Sequence, residues 1–285
     1  MMSSVFFDNA TIDRWINEDA PLLDLTSHML GLGAAHAHIE FKIRHEGVAA
    51  CTEEVSRVLA HCGAGTLEIK ASGTPVQAGE LLIRGEGPAH SVLRAWKLSQ
   101  NILEYSCGVA RQAARMYQTI QQHNPNMALL TTRKHAPGLR ALALKSTLCV
   151  GALPHRLGLS ETILIFPQHI ELLGGWEALK NKITAQKAGF AEKKIVIEAE
   201  NQTQALLAIE AGADVVQFDK ATPNQLREWL PMLRQHWPKA IFLAAGGIKP
   251  ENVEDYAQTG VNALVTSALH YAPPADIGVN IYPSL

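Results

Sequence analysis

The chain has 285 residues, 47% of them hydrophobic, with 25 basic against 27 acidic side chains and a formal net charge of -2. That length and apolar content suit one large or two modest globular domains with a sizeable core. The near-neutral balance argues against a nucleic-acid binder that works by bulk charge, and no run approaches the roughly 18 apolar residues of a membrane-spanning helix. Cys51, Cys62, Cys107 and Cys149 stand apart with no CxxC pair and read as buried thiols of a reducing compartment. The opening MMSSVFFDNATIDRW has no basic segment followed by an apolar stretch, so no signal peptide is expected and the expected location is the cytoplasm.

Residues 12–17 fit the last part of a short helix. Glu18, Asp19 and Asp24 then cluster around Pro21, ahead of Leu25 and Thr26, as either a solvated loop or a segment that closes over something. Residues 35–44 alternate cleanly, which predicts a strand: Ala37, Ile39, Phe41 and Ile43 face one way and His36, His38, Glu40, Lys42 and Arg44 the other. His36 and His38 share a face, but with no third ligand evident a solvated polar face is preferred to a metal site. Short strands are expected at 67–70 and 81–83, between turns marked by Gly73, Pro75 and Gly79. Helical periodicity follows over 92–105 and 109–122, with Gly108 as the break between two helices. The first hundred-odd residues thus predict a small α+β unit leading into a helix pair.

After Pro125 the pattern changes. Apolar strand-like runs recur at 127–130, 148–153, 162–166, 194–197, 215–218, 240–244 and 262–265, with helix-like stretches between most of them. That alternation predicts parallel strands with crossover helices, and seven such strands predict a closed or nearly closed barrel. Polar residues follow each run in turn: Arg133 and Lys134, His155 and Arg156, His169, Glu198 and Glu200, Asp219 and Lys220, Gly246 and Gly247, Thr266 and Ser267. In a parallel barrel the carboxyl ends of the strands share one face, so these positions converge on one cavity.

The first of these strand ends, TTRKHAPGLR (131–140), delivers two adjacent cations just before a Pro-Gly turn. From Tyr105 to Ser160 there is no Asp or Glu, while seven Arg or Lys are present, so the field is locally positive. Arg133, Lys134, His155 and Arg156 suit a carboxylate or phosphate. Glu198, Glu200 and Asp219 suit Mg²⁺, which takes one or two carboxylates together with substrate phosphates and waters. AAGGIKPENV (244–253) reads as a strand, a Gly-Gly turn and a helix start, a cradle for phosphate. There is no nucleophile elbow, no GxGxxG and no P-loop, so catalysis by positioning and electrostatics is expected.

In combination, ED-x-x-x-x-D-L-T (18–26), QNILEYSCGVA (100–110), TRKHAPGLR, PHRLGLSETILIF, EAEN, QFDKA and AAGGI resemble the quinolinate phosphoribosyltransferases over nearly the whole chain. The resemblance implies an N-terminal α/β sandwich over 1–112, on which the tail 273–285 packs back. It implies an open, TIM-like α/β barrel of about seven parallel strands over 113–272, and an assembly of two or more subunits with sites at the interface. It implies transfer of a phosphoribosyl group from phosphoribosyl pyrophosphate, with Mg²⁺, to a small acidic or heteroaromatic acceptor, with no nucleic acid or membrane involved. By position, Lys134, Glu198 and Asp219 would serve the donor, its metal and catalysis, with Glu200 beside them. Gly246, Gly247, Thr266 and Ser267 would hold its 5′-phosphate. Arg133, His155, Arg156, His169, Phe166 and a neighbouring subunit's Lys97 would face the acceptor.

The departures fall mostly on the acceptor side. Trp96-Lys97 replaces a Glu-Arg pair, Phe166 replaces a lysine, Pro154 replaces an Asn and His135 replaces a Thr. Lys145 falls one position late for the lysine after PGLR, and Lys220 replaces the Asn after the strand-end Asp. That combination resembles a paralogous branch of the family encoded with molybdate-transport proteins. Three activities are therefore expected, in this order: phosphoribosyl transfer to an altered acceptor, with a possible tie to molybdenum metabolism; carboxylating nicotinate-nucleotide pyrophosphorylase activity; or non-catalytic binding of an oxyanion such as molybdate.

Overall fold

A computed structural model describes residues 5–284. It divides into two compact units. The first takes the chain up to Ala114 together with His135–Gly151 and the chain from Leu269 on; the second takes Arg115–Lys134 and Ala152–Ala268.

The first unit is built on an antiparallel sheet. Its strands are β1 (His36–Ile43), β3 (Gly65–Ile69), β5 (Leu81–Pro88) and the C-terminal strand Ile277–Pro283, with β2 (Gly47–Val48) and β4 (Pro75–Val76) forming a separate small pair. The order across the sheet is C-terminal strand, β1, β5, β3. Alternation places Ala37, Ile39, Phe41 and Ile43 in the core, in one cluster with Val55, Val58 and Leu59 of the helix Thr52–His61. The other face of β1 is less solvated than its sequence suggests. Glu40 is buried because β5 and the C-terminal strand bring Arg84 and Tyr282 to it: it accepts from Arg84 at 2.9 Å and from the Tyr282 hydroxyl at 3.1 Å, with Lys42 Nζ at 2.7 Å. The acidic segment before residue 26 contains a helix cap: Asp24 accepts from the backbone N–H of Thr26 and Ser27 at the start of the helix Leu25–Met29. All four cysteines are free; burial raises Cys62 and Cys149 to about 11 and Cys107 to about 12, which leaves them unreactive thiols.

Residues 92–122 form part of one helix, Ala89–His123, rather than two. Gly108 does not break it. A Cβ there would lie 2.4 Å from the carbonyl oxygen of Pro273, and Ala275 N–H donates to the Glu104 carbonyl at 2.8 Å. Glycine is therefore present for close approach of the Pro273–Ala275 backbone, at a helix cost of about 1 kcal/mol relative to alanine. Gly108→Ala is expected to destabilise the protein by about 1–3 kcal/mol, because the backbone clash outweighs the gain in helix propensity. A urea melt checks this; a variant more stable than the parent would show that the 273–275 segment yields freely.

The second unit carries a seven-stranded, wholly parallel sheet: β6 (Ala128–Thr131), β7 (Leu153–Pro154), β8 (Ile163–Ile165), β9 (Ile195–Ala199), β10 (Val215–Asp219), β11 (Ile241–Ala245) and β12 (Ala263–Thr266). The order is β7-β6-β12-β11-β10-β9-β8, so β7 and β8 are the two edges and the sheet stays open as a half-barrel. The strand expected at 148–153 shrinks to Leu153–Pro154. Its apolar run is largely the end of the helix Arg140–Leu148 and the turn after it, where Gly151 takes a positive φ of 96°. A short apolar run has the same period whether it ends a buried helix or makes a strand.

Register fixes what lines the half-barrel. Val196, Val215, Leu243, Ala245, Ala263 and Val265 form its inner core, with Ala128, Leu130, Leu164 and Ile241 against them. Side chains alternate along a strand, so Glu198, Gln217 and Asp219 lie on this same inner face. Glu198, Gln217, Leu243, Ala263 and Ala128 form one row across the sheet; Asp219, Ala245, Val265, Leu130 and Leu153 form the next row toward the carboxyl ends.

Candidate active site at the carboxyl edge of the half-barrel

Glu198 and Asp219 lie on the inner face of neighbouring strands, in adjacent rows. Burial, then the charge of Asp219, pushes the Glu198 carboxyl up from its usual range, while a hydrogen bond from Gln217 and the charge of Lys134 oppose this; Glu200 adds further repulsion. Gln217 Nε2 donates to Glu198 Oε2 at 3.0 Å. Two carboxylates that repel in a half-buried site are completed by a cation. Among the described residues, no three His, Cys, Asp or Glu side chains gather closely enough to hold a metal alone. Glu200 is exposed beyond the end of β9, so the three acids do not form a ready-made cage. The paired acids fit Mg²⁺ instead, which usually takes one or two carboxylates and completes its shell with substrate phosphate and water.

The cations stand past β6 and β7. Arg133 and Lys134 are exposed, and the Lys134 N–H donates to Thr132 Oγ1 at 3.1 Å. Arg133 is close enough to Arg156 that their charges repel, and among the described residues neither is in a salt bridge. His155 is tied by its N–H to the Thr131 carbonyl at 2.9 Å. Burial, then Arg156, lowers its pKa, so near pH 7 it is a neutral hydrogen-bonding ring rather than a fourth cation. Phe166 follows β8 and stacks on His169 with ring centroids 5.7 Å apart; the Phe166 N–H donates to His169 Nδ1 at 2.9 Å. His169 is thereby partly occupied in its own helix start.

The glycines follow β11. Both have positive φ, 81° at Gly246 and 74° at Gly247. Around Gly247 the space is open, while a Cβ on Gly246 would lie 2.5 Å from Asp219 Oδ1 and 2.8 Å from the Lys220 backbone nitrogen. The helix expected directly behind them starts only at Val253 and has five residues, so the cradle is a loop of backbone N–H groups without a helix terminus at its centre. Thr266 is buried, donating to the Ile248 carbonyl at 2.7 Å and accepting from the Ala268 N–H, so it shapes the loop; Ser267 is the more open of the pair. Lys220 has a positive φ of 61°, and its Nζ lies 3.7 Å from Asp219 Oδ2.

Lys97 belongs to the first unit, where its Nζ sits 4.2 Å from the Trp96 ring centroid and 3.3 Å from Gln100 Oε1. Lys145 is also in the first unit, buried between Glu53 and Glu54. Sequence reasoning passed over Gln217. The available signal was an amide at an inward position of an otherwise apolar strand, VVQFD.

Two family models match the chain: "Quinolinate phosphoribosyl transferase, N-terminal domain" over residues 24–107 and "Quinolinate phosphoribosyl transferase, C-terminal domain" over 109–280. The chain belongs to the quinolinate phosphoribosyl transferase family, a class of phosphoribosyltransferases. Within it, the ModD protein of Escherichia coli O6:H1 is 35% identical over 98% of this chain and 99% of its own. The "Probable nicotinate-nucleotide pyrophosphorylase [carboxylating]" of Methanothermobacter thermautotrophicus is 29% identical over 95% of this chain and 97% of its own. The crystal structure of NadC from Streptococcus pyogenes shares the fold, with a TM-score of 0.86 at 19% identity over 97% of this chain and 96% of that one. The expected α/β architecture, an N-terminal α/β sandwich and an open barrel of about seven parallel strands, is met by an antiparallel N-terminal sheet and a seven-stranded parallel half-barrel, the fold shared with NadC.

Glu198→Gln is expected to stabilise the protein while weakening any ligand that brings a cation. The raised Glu198 pKa means that its ionised form is disfavoured on folding, a cost present above the folded pKa and absent at pH below the unfolded value near about 4.3. Removing it should raise Tm by about 1–3 °C at pH 7.5 and by nothing at pH 4, on a scale where about 1 kcal/mol moves Tm by about 2–4 °C. Paired thermal melts at the two pH values read the difference; a Tm below the parent at pH 7.5 would contradict it.

Proposed function

We propose that the carboxyl edge of the half-barrel binds phosphoribosyl pyrophosphate with Mg²⁺ and transfers its phosphoribosyl group to a small acidic or heteroaromatic acceptor, releasing pyrophosphate. The observation that carries this reading is the repelling pair Glu198 and Asp219 beside Lys134. Such a pair suits a site finished by a polyanionic donor and its cation. Bound there, Mg²⁺ would neutralise charge on the leaving pyrophosphate. Lys134 supplies a fixed positive charge to the donor, and the Gly246-Gly247 loop offers backbone N–H groups to its 5′-phosphate. Arg133 and Arg156 orient an anionic group of the acceptor, and neutral His155 offers it a hydrogen bond. No residue needs to become covalently attached; the chain's contribution is alignment and charge. The family's implied assembly of two or more subunits would let Lys97 serve a neighbouring site, and the likeness to ModD, a pyrophosphorylase by name, supports release of pyrophosphate.

Calorimetric titration with phosphoribosyl pyrophosphate tests the reading. Submillimolar binding that requires Mg²⁺ and weakens at least tenfold in Asp219→Asn is expected. No binding at millimolar donor would overturn it, and tight binding of molybdate in its place would mark an oxyanion-binding protein.

A further inference from the structure

We infer that Gln217 selects the acceptor: the second substrate is a flat heteroaromatic acid that carries an N–H or O–H donor, and that donor is received by Gln217 Oε1. This rests on the proposed phosphoribosyl transfer and goes beyond it by naming the acceptor's chemistry. Gln217 is 5% exposed. Its Nε2 is committed to Glu198 Oε2, which fixes which way round the amide sits, and its Oε1 is buried with no hydrogen-bond partner among the described residues. An orphaned buried acceptor is costly to leave unmet, so a group that satisfies it gains affinity. Alternation aims the side chain into the half-barrel.

Depth decides which substrate meets it. The phosphate loops and cations lie at or past the strand ends, whereas Gln217, in one row with Glu198, lies two residues below Asp219, about 6–7 Å further in. Its Nε2 is taken by Glu198 on the donor's side, which leaves Oε1 for the acceptor. The rest of that row is small and apolar, with Leu243, Ala263 and Ala128, a floor that suits a flat ring. Phe166, two residues beyond inward-packed Leu164, presents an aromatic face stacked on His169 at the β8 end. A pyridine dicarboxylate carries only acceptors on its substituents and would leave Oε1 unmet. A ring with one acid group, for Arg133 and Arg156, and one N–H or O–H would satisfy it. A site built to hydrogen-bond such a group rejects the analogue that lacks it, because its own buried polar atom is left unpaired.

The test uses four probes on the full chain with Mg²⁺: pyridine-3-carboxylate, pyridine-2,3-dicarboxylate, and the 2-amino and 6-amino derivatives of pyridine-3-carboxylate. Dissociation constants are measured by calorimetry with ribose 5-phosphate present, so no turnover is needed. At least one amino acid-ring probe should bind about tenfold more tightly than both the parent acid and the dicarboxylate. Gln217→Met should erase that gain, and any loss in phosphoribosyl pyrophosphate binding should be smaller than the loss at the amino probe. Gln217→Asn, which keeps the amide but draws it back by one methylene, should lose the gain too, and serves if the methionine variant does not fold. The inference is overturned if the dicarboxylate binds best, if no probe binds, or if the gain survives in both variants. It is equally overturned if Gln217→Met weakens donor and every probe alike, since Gln217 would then only position Glu198. Failure of the parent protein to bind phosphoribosyl pyrophosphate strikes the proposed function itself and is read separately.

Discussion

Lys145→Met is expected to destabilise the first unit by about 3–5 kcal/mol, the cost of removing one partner from a buried ion pair. Lys145 Nζ lies 2.6 Å from Glu54 Oε2 and 2.8 Å from Glu53 Oε2. The Lys145 and Glu54 side chains are 6% and 5% exposed, whereas Glu53 is 42% exposed. Without the ammonium, Glu53 can turn to water and keep its hydrogen bonds from the Ser72 N–H and hydroxyl. Glu54 has no such exit. The first turn of the helix Thr52–His61 favours a carboxylate, but by less than about 2 kcal/mol. A denaturant melt measures the loss, and adding Glu54→Leu to Lys145→Met should restore more than half of it. A loss below about 1 kcal/mol in the single variant would mean that the triad is solvated in solution.

The same triad sets a pH window. Burial alone would raise Glu53, but Lys145 and then Ser72 hold it down at about 2. Its contribution is therefore full above its unfolded value near about 4.3 and is lost as pH falls toward about 2. Burial would lower Lys145, but Glu53 and Glu54 outweigh this and raise it. Its contribution is full below the unfolded value near about 10.4 and is lost as pH rises through the higher folded pKa. Lys145→Met should flatten the alkaline limb, and at acid pH its deficit should shrink as the unpaired Glu54 carboxylate is protonated.

Gly246→Ala is expected to cost about 2–3 kcal/mol and, under the proposed function, to abolish Mg²⁺-dependent donor binding. Two penalties add. A Cβ at a φ of 81° is strained in any surroundings, at about 1–2 kcal/mol. It would also meet Asp219 Oδ1 at 2.5 Å and the Lys220 nitrogen at 2.8 Å. The carboxylate can rotate away, but the Lys220 nitrogen is held by its N–H bond to the Ala245 carbonyl at 2.7 Å. Rotation of Asp219 moves its carboxylate away from the cation position proposed beside Glu198, so loss of binding should exceed what loss of stability predicts. Gly247→Ala, with open space at the Cβ position, should pay the strain without the collision. Equal effects at the two glycines, by melt and by titration, would refute the argument.

β1 was legible because a half-buried strand writes its period into the sequence, and the runs after Pro125 because strands buried on both faces read as short apolar blocks, as β10 does. Helix continuity through Gly108 was not, since its reason lies in the distant Pro273–Ala275 backbone. The short strand Leu153–Pro154 was displaced in the sequence reading by a buried helix end with the same apolar character. At the site, residues were chosen by their position after each apolar run alone; Glu198 and Asp219 lie within β9 and β10 rather than beyond them. Position says nothing about which side chains the fold has already used. Thr266 and His169 are partly committed to their own loops, and His155 loses its charge through burial. Lys145, one residue late for its motif, turns instead to Glu53 and Glu54, whose partnership no local pattern announces.

The strand Ile277–Pro283 pairs with β1 along seven residues, from Ala37 opposite Pro283 to Ile43 opposite Ile277. In the order of synthesis β1 leaves the ribosome before this partner, with all seven strands of the half-barrel made between them. Until then one edge of β1 has no neighbour, and an open edge is a template for pairing with another chain. The first unit thus matures only after the half-barrel has been made, which places its period of greatest aggregation risk during translation. A reporter fused behind Pro283 would act directly on that closing step, whereas one at the opposite end of the chain would not.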